Sequence, residues 1–319
     1  MNTDLLLEAF RRMTRIRLAE QMIAEDFLAN KIYSFLHIAI GQEAVATGIC
    51  LALSKDDRVF GNHRSHHHYL AKNGDLYRMF CEIYGKADGC CRGWGGSMHL
   101  YDRSVGFMGS TPILGSVAPI ATGSAFEQKA RKSEHITVCF FGDGASEEGQ
   151  VYESVNIAAV MKLPILYVLE NNLYSVSSDV SVRRSEKYSA GSVYSGLGAF
   201  YLGCNGNAFT AVHQQALAAN QRIKERGGPV VIEARVFRHM AHSGPIFDDA
   251  AGYRKVDTKN VREEACPIKN ILTFIRGKGV HPDTIDSIHE ETRREVKDAF
   301  DRAKAAPEPK PNEKCMAAV

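Results

Sequence analysis

Two periods of hydrophobic recurrence alternate along this chain. From Thr3 to about Ala29, Leu5, Ala9, Ile16, Met22, Ile23 and Phe27 return at roughly helical spacing among charged residues, which predicts a surface helix with one apolar stripe. A second helix is expected after Gly41. Beyond a Gly- and His-rich middle section the pattern changes. Ile136–Phe141 is an unbroken apolar run that stops at Gly142-Asp143-Gly144, as a parallel strand buried on both faces does. Ser146–Lys162 returns to helical spacing through Val151, Val155, Ala158, Ala159 and Met161, with Glu147 and Glu148 expected in the first turn, where the helix dipole favours negative charge. Pro164 closes that helix, and Ile165–Leu169 is a second buried-strand run ending at Glu170-Asn171-Asn172.

Residues 136–172 therefore read as one β-α-β unit with a right-handed crossover. Gly203–Gly206, the helical stretch Ala211–Arg226 and the strand Val230–Phe237 repeat the pattern, so the expected fold is α/β with a doubly wound, mostly parallel sheet. Ile285, Ile288, Val296 and Phe300 mark Pro282–Lys304 as an amphipathic closing helix, and Ala305–Val319 reads as a loose tail. The uncharged stretch Ser104–Phe126, rich in Gly, Ser, Thr and Pro, reads as a buried, closely packed loop region. With no repeat and no clear linker, residues 1–319 are expected to form a single domain: a helical part over 1–60, a core over 61–255 and a helical part with tail over 256–319.

Composition narrows the function classes. The 319 residues are 45% apolar and 24% charged with a formal net charge of +2, and the mixing of signs leaves no basic face for nucleic acid or an anionic membrane. Small-molecule chemistry fits better. The eight cysteines show no C-x-x-C pair or zinc-ligand spacing, and the N-terminus lacks an apolar segment followed by a cleavage site, so a cytoplasmic protein with reduced thiols is expected.

In an open α/β sheet, ligands bind beyond the carboxyl ends of the strands, where both Gly142-Asp143-Gly144 and Asn171-Asn172 fall. Either motif alone reads as ordinary turn chemistry. Together, after two buried strands, they read as a diphosphate–Mg²⁺ site: the glycines let backbone approach phosphate oxygens, and Asp143 with Asn172 offers hard oxygen ligands. The chain has no G-x-x-x-x-G-K-[ST], and the glycines at 142, 144 and 149 do not fit G-x-G-x-x-G.

GDG, 26 residues, then NN is similar to the thiamine-diphosphate fingerprint. The stretches GQEA (41–44), HRSH (63–66), RGWGGSMH (92–99), FGDGASEEGQVYESVNIAAVMKLP (141–164) and ENNLYSVS (170–177) together resemble the alpha subunits of pyruvate, branched-chain 2-oxo acid and acetoin dehydrogenase complexes, over nearly the whole chain. The resemblance implies the thiamine-diphosphate-binding fold, with Asp143, the Asn172 side chain and the Tyr174 carbonyl as Mg²⁺ ligands. Gly142, Gly144 and Ala145 would meet the diphosphate through their backbone, and His63 and Arg64 would reach it from another loop. Pro112 and Leu114 would meet the aminopyrimidine, and Val176 would prop the cofactor into its bent form. His66 and His242 would be catalytic, His242 on a mobile loop that also touches the cofactor. Metal binding by His63, His66, His67 and His68 is the weaker alternative.

The same resemblance implies a beta subunit that supplies the glutamate activating the aminopyrimidine, an α₂β₂ heterotetramer, and a lipoyl carrier on a further component as acyl acceptor. His67 stands where relatives often have glycine, Ala241 replaces a glycine, and Gly244–Asp249 has unusual spacing. These departures leave the 2-oxo acid open and keep an acyloin-forming or transketolase-like two-subunit enzyme as the alternative. A third reading, a subunit holding the cofactor only as scaffold, is opposed by the intact Asp143, Asn172, His66 and His242.

Overall fold

The structure, a computed structural model, describes residues 1–254 and 256–310. The chain begins with α1 (Thr3–Leu28), α2 (Glu43–Cys50), β1 (Arg58–Gly61), α3 (His66–Ala71), α4 (Leu76–Ile83), β2 (Phe107–Ser110), α5 (Val117–Ala130), β3 (Thr137–Gly142), α6 (Gly149–Val160) and β4 (Ile165–Asn171). A short hairpin of β5 (Tyr174–Ser175) and β6 (Ser178–Asp179) leads into α7 (Val180–Arg183) and α8 (Ala190–Gly196). Then come β7 (Phe200–Asn205), α9 (Phe209–Arg226), β8 (Val230–Arg235), α10 (Thr258–Glu264), α11 (Pro267–Gly277) and α12 (Pro282–Lys304).

Six strands form one sheet in the order β2-β1-β3-β4-β8-β7, and every neighbouring pair is parallel. The expected doubly wound parallel sheet is observed. Alternation along β3 sends Val138 and Phe140 into a core shared with α1, α2, α4 and α9, and Cys139 and Phe141 into a second core under α5 and α6. Both sheet faces are thus covered, which is why the strands read as unbroken apolar runs. The first half of α1 and the helices α11 and α12 enclose a third cluster containing Phe10, Met13, Ile271 and Ile285. The side chain of Asn2 caps α1 by accepting from the Leu5 amide at 2.9 Å, and Arg11–Glu291 and Arg15–Glu295, each 3.0 Å, tie α1 to α12. The helical N- and C-terminal segments are therefore packed against one another.

Three local expectations are corrected. Ser104–Phe126 is not a packed loop: it contains β2 and most of α5, and Ile113, Ile120 and Phe126 are exposed. The inward stripe of α5 is Val117, Ala118, Ala121, Thr122 and Ala125, a helical repeat hidden by its small side chains. The helix expected from Ser146 starts at Gly149, because Ala145–Glu147 forms a 3₁₀ turn and Glu148 is extended. Glu147 pairs instead with Arg183 and Arg184. The start of the expected loose tail is also packed: Pro307 accepts from the Ala87 amide at 2.9 Å and Glu308 pairs with Lys86. The rest of that tail, 311–319, lies outside the described residues.

The RGWGGSMH stretch owes its shape to a buried anion. Glu82 is fully buried, and its carboxylate accepts from the amides of Cys91 (2.6 Å), Gly93 (2.9 Å), Gly95 (2.6 Å) and Gly96 (3.2 Å). Glu82→Gln keeps the volume but turns an amide N–H toward these donors. We expect it to lower the free energy of unfolding by about 3 kcal/mol, measured by urea denaturation; an unchanged midpoint would mean the loop holds itself.

Candidate functional site

The strand order reverses beside β1, which has β2 on one side and β3 on the other. Such a switch point opens a crevice at the carboxyl ends of the strands. The loops leaving these ends converge there: Asn62, His63 and Arg64 after β1, Leu114 after β2, Gly142–Ala145 after β3, Asn172, Tyr174 and Ser175 after β4, and His242 after β8 all line one pocket with Gln42 and Glu170. Register decides the key juxtaposition. β3 and β4 pair residue for residue up to Gly142 opposite Glu170, so Asp143 and Asn172 leave neighbouring strand tips on the same edge.

Each motif residue has a distinct place. Asp143 is almost fully buried, and its Oδ2 accepts from Arg183 Nη2 at 2.5 Å. Asn172 Oδ1 accepts from the Tyr174 amide at 3.2 Å, closing a tight turn over the pocket. Asn171 turns away, accepting from the Leu173 amide and donating to Glu233 at 2.6 Å. Val176 has a positive φ of 55°, which a β-branched residue rarely adopts. Its carbonyl accepts from Arg238 at 3.0 Å, and its side chain is exposed outside the pocket lining. Pro112 is likewise absent from the lining.

The histidine run divides in three. His63 lines the pocket and neither of its ring nitrogens has a hydrogen-bond partner. His66 is buried away from the pocket lining, its Nε2 2.8 Å from Ser97 Oγ and its Nδ1 3.3 Å from Glu20. His67 and His68 both direct Nε2 to Glu170, each at 3.0 Å. Burial alone would raise the Glu170 carboxyl, but the two imidazoles more than offset it and hold Glu170 well below the usual carboxylate range. The four histidines therefore do not form one metal cluster.

A residue with no place in any motif backs two of the lining histidines from outside the pocket lining. His37 packs edge-on to His63 at 4.5 Å and to His242 at 5.2 Å between ring centroids, and the His63 and His242 rings lie 5.3 Å apart. Its only advance signal is its place just before the GQEA stretch. Gly41, with φ of 98°, lets this segment approach closely: a Cβ there would lie 2.2 Å from the His239 ring. Burial, with Arg64 as the next cause, pushes His37 down to about 3, His63 to about 2 and His242 to about 4.

Arg64 is the electrostatic centre of the pocket. Its guanidinium is buried and donates to the Ile38 carbonyl and, at 2.9 Å, to the His242 carbonyl. It has no carboxylate partner among the described residues. Burial, then the neighbouring Arg238, lowers it to about 10. The charges of Glu20 and Glu170 oppose that lowering, but neither forms an ion pair with the guanidinium, which leaves it able to meet an anion in the pocket.

Residues 11–312 match the family described as dehydrogenase E1 component. The chain belongs to this family. It is 36% identical over 317 residues to the alpha subunit of acetoin:2,6-dichlorophenolindophenol oxidoreductase from Cupriavidus necator, covering 98% of this chain and 93% of that protein. It is 35% identical to the pyruvate dehydrogenase E1 component subunit alpha of Rhizobium meliloti, over 95% of this chain and 86% of that protein. A mitochondrial pyruvate dehydrogenase E1 alpha subunit from Solanum tuberosum is 34% identical, over 97% and 78%. The E1 family is thiamine-diphosphate-dependent, and 2-oxo acid decarboxylation is the chemistry consistent with these relatives.

The three neutral imidazoles set a pH dependence. Their folded-state pKa values lie below the unfolded value of 6.5. Stability is complete above that pH and is lost as pH falls from 6.5 toward 4, because the unfolded chain binds protons that the folded pocket refuses. Urea unfolding at pH 7.5 and 5.0 is expected to give a lower midpoint at pH 5.0, less so in His63→Gln. Equal pH sensitivity in that variant would remove the pocket as its source.

Proposed function

We propose that this E1 chain binds thiamine diphosphate through Mg²⁺ in the switch-point pocket and acts as the alpha subunit of an α₂β₂ enzyme that decarboxylates a 2-oxo acid or cleaves acetoin. The observation that carries this reading is the meeting of Asp143, Asn172 and Arg64, a buried guanidinium without an ion pair among the described residues, on one pocket. The donor set fits the cofactor: a carboxylate, an amide and a carbonyl are the hard oxygens Mg²⁺ prefers, and Arg64 with the unpartnered His63 meets an anion. In this reading Asp143, the Asn172 side chain and the Tyr174 carbonyl hold the ion, while Gly142, Gly144, Ala145, His63 and Arg64 hold the diphosphate. Leu114, with Pro112 and Val176 outside the pocket wall, lies toward the organic rings.

The cofactor supplies the electron sink for decarboxylation. The chain's own part is to bind, orient and move protons. His242, uncharged at neutral pH, is placed beside His37 and His63 to accept or donate one. His66, first expected to be catalytic, acts in this reading as a positioning residue, with Nε2 hydrogen-bonded to Ser97 and Nδ1 close to Glu20. The partner is a beta subunit that brings the activating glutamate. In support, Tyr33, Phe35, Ile113, Val176 and Phe247 are exposed apolar residues on the segments that frame the pocket, a composition suited to an interface core. A lipoyl carrier as acceptor and a cytoplasmic setting belong to the same proposal, with residues 1–319 acting as one domain.

Calorimetric titration of the copurified α/β complex tests it. Wild type is expected to take up thiamine diphosphate only with Mg²⁺, and Asp143→Asn to weaken that uptake by more than about 100-fold. Uptake unchanged by Asp143→Asn would refute the site.

A further inference from the structure

Two arginines outside every motif used so far are packed against the turn that carries Asp143. Arg183, at the end of α7, places Nη2 2.5 Å from Asp143 Oδ2 and contacts Glu147 through Nη1. Arg184 places Nε 2.8 Å from Glu147 and donates through Nη2 to the Asp143 carbonyl at 2.7 Å and to Ser146 Oγ at 2.5 Å. Both side chains are largely buried, 12% and 6% exposed, and the Arg184 guanidinium sits 4.2 Å over the Tyr188 ring. Two guanidiniums thus neutralise two carboxylates in a closed array.

The array joins two parts of the pocket that the sheet alone brings only near each other. Asp143 leaves β3, whereas Asn172 and Tyr174 leave β4. The segment after Asn172 folds back on itself: Val180 donates to the Leu173 carbonyl at 2.8 Å, Tyr174 pairs with Asp179, and Arg183 Nε reaches the Ser178 carbonyl at 3.2 Å. Its far end is then bolted to Asp143, Ser146 and Glu147. Contact is close along the way, since a Cβ at Gly144 would lie 2.6 Å from Ser175 Oγ. Arg183 takes only Oδ2 of Asp143; Oδ1 has no protein partner among the described residues and Asp143 lines the pocket.

We infer that Arg183 and Arg184 are positioning residues that fix the Asp143 carboxylate against the Asn172–Tyr174 turn, leaving Oδ1 for the divalent cation. The inference rests on the Mg²⁺ reading of Asp143 given above. A metal-ligating carboxylate is held by its own hydrogen bonds, and loss of that support costs about 10–100-fold in metal affinity. Arginine suits the task because its planar fork spans two carboxylates at once, which a lysine ammonium does not. The opposite role is also physically defined: if Arg183 competed with the ion for Asp143, removing it would tighten metal binding.

The sign of the effect decides. In the copurified α/β complex with saturating thiamine diphosphate, Mg²⁺ affinity is measured by calorimetry and Mn²⁺ affinity by electron paramagnetic resonance. Arg183→Met is expected to weaken both by about 10–100-fold, and Arg183→Lys to recover part of the loss. Glu147→Gln, which removes the other anchor of the same guanidinium without touching Asp143, is expected to weaken both by a smaller, several-fold factor, and it serves as the test if Arg183→Met does not assemble. Unchanged or tighter metal binding in the assembled variants overturns the inference, provided Asp143→Asn loses the ion in the same assay. If Asp143→Asn binds metal like wild type, the site reading itself has failed.

Discussion

The parallel pairing of β3 with β4 is the constraint on which the rest of the molecule depends. Pairing residue for residue from Thr137 opposite Ile165 to Gly142 opposite Glu170 brings both strands to the same edge together. A slip of one residue would turn Phe140 and Phe141 to the wrong faces of the sheet, so the two apolar cores and the pocket are set by one register. The cost of moving it is the burial of both cores, roughly 1.5–3 kcal/mol for each large side chain. The site hangs from two strands whose side chains are buried almost throughout.

Charge is arranged around that edge in layers. Behind it, Glu170 is held ionised by His67 and His68. At the turn, Asp143 and Glu147 are matched by Arg183 and Arg184. On the opposite wall Arg64 forms no ion pair among the described residues, beside three imidazoles that burial keeps neutral. The proposed ligand, an anion carried with a divalent cation, would set its anion against Arg64 and its cation against the free oxygen of Asp143.

The sheet and this edge were legible in the amino-acid order because unbroken apolar runs, each ended by Gly-Asp-Gly or Asn-Asn, carry both the strand and its exit loop in one short signal. What escaped detection had weaker or nonlocal signals. The strands β1 and β2 have only four residues each, too few for a period, and α5 buries alanines rather than large side chains. His37 meets His63 and His242 through tertiary packing alone, with no partner near it in sequence. His66 lies in the same run as His63, yet the start of α3 turns it toward Glu20 and Ser97, a direction that residue spacing does not encode. Arg183 and Arg184 belong to none of the motifs, and their burial depends on the hairpin folding back over Asp143.

The account rests on one ion shared by two strand tips. Anomalous diffraction from crystals of the α/β complex grown with Mn²⁺ and thiamine diphosphate tests it most directly. The account predicts a single anomalous peak at bonding distance, about 2.1 Å, from an Asp143 carboxylate oxygen, the Asn172 side-chain oxygen and the Tyr174 carbonyl. A peak ligated by His67, His68 and Glu170 instead, or cofactor density without a peak between residues 143 and 172, would contradict it.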